Sequence, residues 1–138
     1  MNDHAAGEPP VIERWDSHLL DLTDPKRRFK ISRWNYFLKD PATGVVMGNW
    51  EAEQGYEDLG EGSDFDEVMH VVSGRLYVTS EGRELVANPG DTVIIQRNRP
   101  TRIEVRERVR VFFVCYPMPD IVGYEANIRA GRYPGDRE

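Results

Sequence analysis

The sequence is poor in histidine, cysteine and long apolar runs, and each shortage narrows what the chain can do. It has three His, at positions 4, 18 and 70, whereas zinc and iron sites usually want two or more imidazoles held together. Its single Cys, Cys115, excludes an internal disulfide and suits a reducing compartment, so a cytoplasmic location is expected. Cys115 sits in the apolar run VFFVCY, which predicts a buried structural thiol rather than a nucleophile. No stretch reaches about eighteen apolar residues, so no membrane span is expected. The opening MNDHAAGEPPVIER has neither a basic start nor an apolar core, and no secretory signal is read there. Positive charge is scarce as well: 18 Lys and Arg against 24 Asp and Glu leave a net charge of −6, which sets nucleic-acid binding aside.

What is present describes one soluble globular domain, with 138 residues, 39% apolar and 30% charged. Short runs rich in β-branched and aromatic residues predict strands at 29–38, 45–53, 65–73, 75–80, 83–87, 92–96, 102–105 and 110–116. Turn chemistry separates them at 40–44, at Glu81-Gly82, at 88–91 and at 97–100. The acidic span 56–63 reads as loop, as does 21–28, and 92–96 reads as a strand buried on both faces. No helical period appears in the middle of the chain, which points to an all-β sandwich or barrel. Residues 1–12 read as a mobile lead-in, 13–118 as the barrel domain with 15–22 as a short helix or cover, and 119–138 as a C-terminal arm holding one short helix.

Charge is segregated along the chain. No Lys or Arg occurs between Lys39 and Arg75, where nine carboxylates lie, while six Arg fall between Arg97 and Arg110 inclusive. Two solvated faces attracting one another across a sheet account for most of these, with some Arg left for the rim of an anion site.

The chemistry gathers in 64–74, where a carboxylate, a thioether and an imidazole sit among apolar residues. As a strand of period two, Glu67, Met69 and Val71 share one face, and Val68, His70 and Val72 share the other. A carboxylate on a buried face is costly unless a metal, an Arg or its own proton neutralises it. Parity turns His70 away from Glu67, so His70 is expected to be structural. The outer face of Val68, His70 and Val72 is too apolar to stay wet on a small domain, which predicts a homodimer or a cover from around Trp15.

Two segments resemble a known family. Glu67, six residues, then Gly74 has the form of the second half of the first cupin motif. Pro89-Gly90-Asp91, five residues to Gln96, and the stretch to Thr101 have the spacing of the second. GNWE at 48–51, Asp66-Glu67, TSEGRE at 79–84 and IEVRERVR at 103–110 are similar to the branch that groups (S)-ureidoglycine aminohydrolase with the ethanolamine-utilisation cupin. The resemblance covers residues 44–116 and implies a single all-β jelly-roll cupin barrel, a homodimer and a small-molecule site within the barrel.

The departures bear on activity. Glu61, Ser63 and Thr101 stand where metal-binding cupins carry three His, and Gln96, Asn98, Ile103 and Val111 replace the usual Pro, Gly, Trp and Lys. Glu67 remains as an orthodox ligand, with Glu61 a second candidate, and hydroxyl oxygens bind transition metals weakly. The expectation is therefore a degenerate metal site with no tightly bound cofactor; the alternative is a weakly held Mn, Fe, Ni or Zn. The ligand-binding set is Glu67, Met69, Arg99, Thr101, Ile103 and Trp50 (or Asn49, by parity), for a small polar, in some forms anionic, metabolite. The alternative function is a small-molecule enzyme of the ureide- or amine-handling type, with Glu67 as metal ligand or as catalytic general acid/base.

Overall fold

Alternation of buried and open side chains sets the strands. In the computed structural model, which describes residues 22–23, 32–60 and 63–117, there are ten. They are β1 (Leu22–Thr23), β2 (Ser32–Asp40), β3 (Val45–Ala52), β4 (Glu57–Gly60), β5 (Asp66–Ser73), β6 (Leu76–Ser80), β7 (Arg83–Ala87), β8 (Thr92–Ile95), β9 (Thr101–Glu104) and β10 (Val109–Tyr116). The lead-in, the 15–22 cover except Leu22, the C-terminal arm and Glu61 lie outside the described residues.

Antiparallel pairing joins the strands into a six-stranded sheet in the order β1-β2-β3-β10-β5-β8 and a four-stranded sheet in the order β4-β9-β6-β7. This is the jelly-roll arrangement that the resemblance implied. The core lies between the sheets: Trp34, Val46, Trp50, Val71, Val111 and Phe113 come from the first, and Leu76, Val78, Ala87 and Ile103 from the second. Leu76, Val46, Val71, Val109 and Val111 are fully buried, and each such side chain contributes about 1.5–3 kcal/mol against leaving it in water. Trp50 turns inward, where its indole N–H donates to Ser32 Oγ at 2.8 Å.

The turns follow from local chemistry. Glu81 and Gly82 both take positive φ, 52° and 76°, as a two-residue hairpin of matching twist requires. At 40–44 the Asp40 carboxylate accepts Ala42 N–H at 3.0 Å and the Thr43 hydroxyl at 2.5 Å, closing the turn. Gly74 has φ +77°, and a Cβ there would lie 2.1 Å from the Arg108 carbonyl oxygen.

Three expectations need correction. The 56–63 span contains strand β4, held to β9 over Glu57↔Glu104 to Gly60↔Thr101 and by an Arg102–Glu57 ion pair at 2.9 Å; four residues are too few to display a period. The 21–28 stretch contains β1, a two-residue strand that exists through pairing with Trp34 and Arg33. Strand β8 is not covered on both faces: Ile94 is 66% exposed, and Val72 on β5 is 52% exposed on the same side. An apolar run marks what can be buried, and the topology leaves this side of the six-stranded sheet outside the barrel.

The segregated charges find each other as expected. Arg97 pairs with Asp66 at 3.0 Å, and Arg33, Arg108 and Arg110 converge on Glu51. Glu51 is 3% exposed, yet three guanidinium groups hold its carboxyl down at about 2 against the desolvation that would raise it.

Candidate functional site

At one end of the barrel the sheets part around a cavity of about 50 Å³, lined by Asp58, Ser63, Phe65, Glu67, Ile95, Gln96, Arg99, Thr101 and Ile103. That is room for a few water molecules, so the cavity takes the end of a small polar molecule. Register explains the lining. Glu67 pairs with Cys115 on one side and Ile95 on the other, and Cys115 with Val46, so these four share the inner row of the six-stranded sheet. Glu67 is the charged member of that apolar row. From the facing sheet, Asp58 pairs with Ile103, and Thr101 lies two residues earlier on β9.

The surroundings of Glu67 decide its chemistry. Burial dominates and pushes its carboxyl up to about 7; the Cys115 thiol, which donates to Oε2 at 3.5 Å, pulls the other way, and the negative charge of Asp58 adds to the rise. The side chain is half-buried and lines the cavity, with its Oε2 accepting from the Cys115 thiol. Cys115 is 4% exposed, and burial and then Glu67 push its thiol far up, so it stays protonated and acts as a donor.

The expected site residues are only partly assembled in one place. Glu67, Arg99, Thr101 and Ile103 line the cavity together with Ser63. Met69 and Trp50 are buried deeper in the core, outside that lining. Arg99 reaches the cavity lip, but its Nη1 lies 3.0 Å from Glu81 Oε1, both side chains being exposed. His70 points to the opposite side of the sheet, with Nδ1 3.0 Å from Thr92 Oγ1. Asp58 went unrecognised in the sequence, because its strand read as loop; the opposite charges of Glu57 and Arg102 were the faint sign that the segment pairs.

The donors do not make an evident metal centre. Among the described residues no group of three or more His, Cys, Asp or Glu is placed to hold an ion. Glu67 and Asp58 supply carboxylates, Ser63 and Thr101 supply hydroxyls, which are weak ligands for transition metals, and Glu61 lies outside the described residues. Nor is any helix among the described residues long and apolar enough to cross a membrane.

Comparison with known proteins agrees with the architecture. KdgF from Halomonas sp. superposes with a TM-score of 0.66 at 16% identity, over 81% of this chain and 99% of that one. The cupin domain of Schizosaccharomyces pombe Cnp3 gives 0.62 at 15% identity, over 92% of this chain and 85% of that one. A putative ethanolamine utilization protein Q from Salmonella typhimurium LT2 gives 0.56 at 19% identity, over 64% of this chain and 71% of that one. At such identities these likenesses speak for the fold. No curated protein matches the sequence significantly. The family model described as ethanolamine utilisation protein EutQ matches residues 20–120, most of the chain and all of its barrel, and the protein therefore belongs to the EutQ family of cupins.

Proposed function

We propose that the cavity binds the end of a small polar metabolite and that Glu67 exchanges a proton with it. The observation that carries this reading is the placement of the Glu67 carboxyl inside the cavity, opposite Asp58 and against the Cys115 thiol. Near neutral pH such a carboxyl is present in both forms, so it can donate a hydrogen bond to a carbonyl or accept one from an amine or amide. Asp58 across the cavity favours a ligand end carrying N–H groups over a purely anionic one. A carboxylate elsewhere on the same ligand would reach Arg99 at the lip, in competition with Glu81.

The second reading, an enzyme acting on amide- or amine-bearing small molecules, is favoured by the same carboxyl. A group that titrates near the working pH is suited to general acid/base catalysis. In either case the site is read as having no tightly held transition metal. The buried thiol, free of any disulfide, suits work in the reducing cytoplasm.

Titration calorimetry with a panel of small amides, ureides, amines and amino acids at pH 6, 7 and 8 tests the proposal. A ligand should bind whose affinity changes through this range and falls at least about tenfold in Glu67→Gln, as for loss of a hydrogen bond to a charged group. Arg99→Ala should weaken a carboxylate-bearing ligand by roughly 1.5–3 kcal/mol. A ligand bound equally by Glu67→Gln would place the site elsewhere.

A further inference from the structure

Arginine is gathered at one place beyond what the fold needs. At the end of the six-stranded sheet away from the cavity, register sets Arg33, Glu51, Arg110 and Ser73 side by side across β2, β3, β10 and β5. Parity puts this row on the outer face, since Trp34, Trp50 and Val111 beside it turn into the core. Arg108, in the turn before β10, reaches the same Glu51 carboxylate. Arg110 and Cys115 lie five residues apart on β10 and face opposite ways. The row therefore stands about 17 Å along the strand from the cavity and on the other side of the sheet.

Donors outnumber acceptors there. Arg110 alone would answer Glu51, because its Nε and Nη2 lie 3.0 and 2.5 Å from Oε2. A carboxylate accepts at about four positions, whereas each guanidinium carries five N–H groups. Arg33 uses Nη2 on Oε1 at 3.1 Å; Arg108 also brings Nη2 to Oε1, and its Nε lies 3.4 Å from Glu53. Nε and Nη1 of Arg33, and Nη1 of Arg108, make no bond to another described residue. Both guanidinium groups meet water, the Arg33 side chain being 48% exposed and that of Arg108 62%. Three positive charges face the two negative ones of Glu51 and Glu53, so the cluster stays positive on a chain of net charge −6.

We propose that Arg33 and Arg108 bind the phosphate group of a small molecule, held in place from below by Glu51 and Arg110. A planar carboxylate is satisfied by one guanidinium fork, whereas a tetrahedral dianion offers oxygens in several directions and suits two forks arriving from different places. Arg33 comes from β2 and Arg108 from the chain entering β10, the strands that flank β3. Ser73, exposed and directly across from Arg110, adds a neutral hydroxyl donor to the row. The chain as a whole repels anions, so attraction here is local and depends on these side chains. Glu51 acts as a positioning residue, since it fixes one nitrogen of each exposed guanidinium and leaves the others turned to a ligand.

The test is a titration of the full, 15N-labelled chain with inorganic phosphate at neutral pH, followed through its backbone amide signals by NMR. A constant ionic strength of about 0.15 M keeps screening fixed. Signals of residues 33, 51, 73, 108 and 110 should shift together and saturate by about 10 mM phosphate, ten times a dissociation constant of about 1 mM. Arg33→Gln and Arg108→Gln should each weaken binding at least about tenfold, as for loss of a hydrogen bond to a charged group. Arg33→Lys keeps the charge without the fork and should also weaken it, by several-fold. Arg106→Ala, on the four-stranded sheet, should leave it unchanged, and acetate should bind at least about tenfold more weakly than phosphate. Circular dichroism should show the wild-type spectrum for every variant, because Arg110 still answers Glu51. Shifts that do not saturate, or that spread equally to Arg97, Arg99 and Arg102, would overturn the proposal and leave the cluster a structural clamp on Glu51. Phosphate binding that survives both Gln variants would overturn it by placing the anion elsewhere, and acetate binding as tightly as phosphate would overturn the choice of a dianion.

Discussion

Two carboxylates, Glu51 and Glu67, lie in the same sheet on strands separated by β10 and are driven in opposite directions. Glu51 on β3 is buried among three guanidinium groups, and its folded pKa falls to about 2 from 4.5. A depressed carboxylate stabilises the fold at pH values above the unfolded value, and this is lost as pH falls from about 4.5 towards 2. Glu51→Gln should therefore cost about 3 kcal/mol at pH 7, as for breaking a buried pair, and should flatten the acid limb of stability measured by urea titration. Glu67 is the converse case. Its folded pKa of about 7 lies above 4.5, so between those values the folded chain holds a proton that the unfolded chain has lost. The stability contributed by this proton is greatest below about 4.5, falls as pH rises from there through 7 and is flat beyond, by about 3 kcal/mol. Glu67→Gln should abolish that slope; an unchanged slope in the variant would assign the proton to another group.

At the scale of elements, one glycine and one short strand are instructive. Gly74 ends β5 with φ +77° and its Cα faces the Arg108 carbonyl, where a Cβ would sit at 2.1 Å. Gly74→Ala combines left-handed strain with a backbone clash and should lower stability by at least about 2 kcal/mol in chemical denaturation. Gly82 sits in open space in its hairpin, so Gly82→Ala meets only the strain of φ +76° and should cost less, about 1 kcal/mol. Both turns were legible because they depend on the residues that form them. Strand β4 was not, since Glu57–Gly60 is too short to show alternation and is a strand by virtue of its pairing with β9. Asp58 was lost with it, and so half of the acidic pair in the cavity.

For the molecule as a whole, the donor set around Glu67 leads to an expectation of less than half an equivalent of Mn, Fe, Ni or Zn per chain in protein purified without added metal. Elemental analysis with anomalous scattering would measure it, and a full equivalent on Glu67 would move the assignment to a metalloenzyme. The sequence by itself determined the all-β class, the turns, the Glu67–Gly74 spacing and the inward parity of Glu67, Met69 and Val71, because each rests on interactions within a few residues or on a period of two. It also carried the opposite charges that later met as Arg97–Asp66 and the Glu51 cluster. Only the tertiary structure decided that Asp58 faces Glu67, that Cys115 donates to it, that Arg99 turns to Glu81, and that Met69 and Trp50 lie below the cavity. These are meetings between strands distant in sequence. Their register and the stacking order of the sheets select which side chains share a space, and no local pattern encodes that choice.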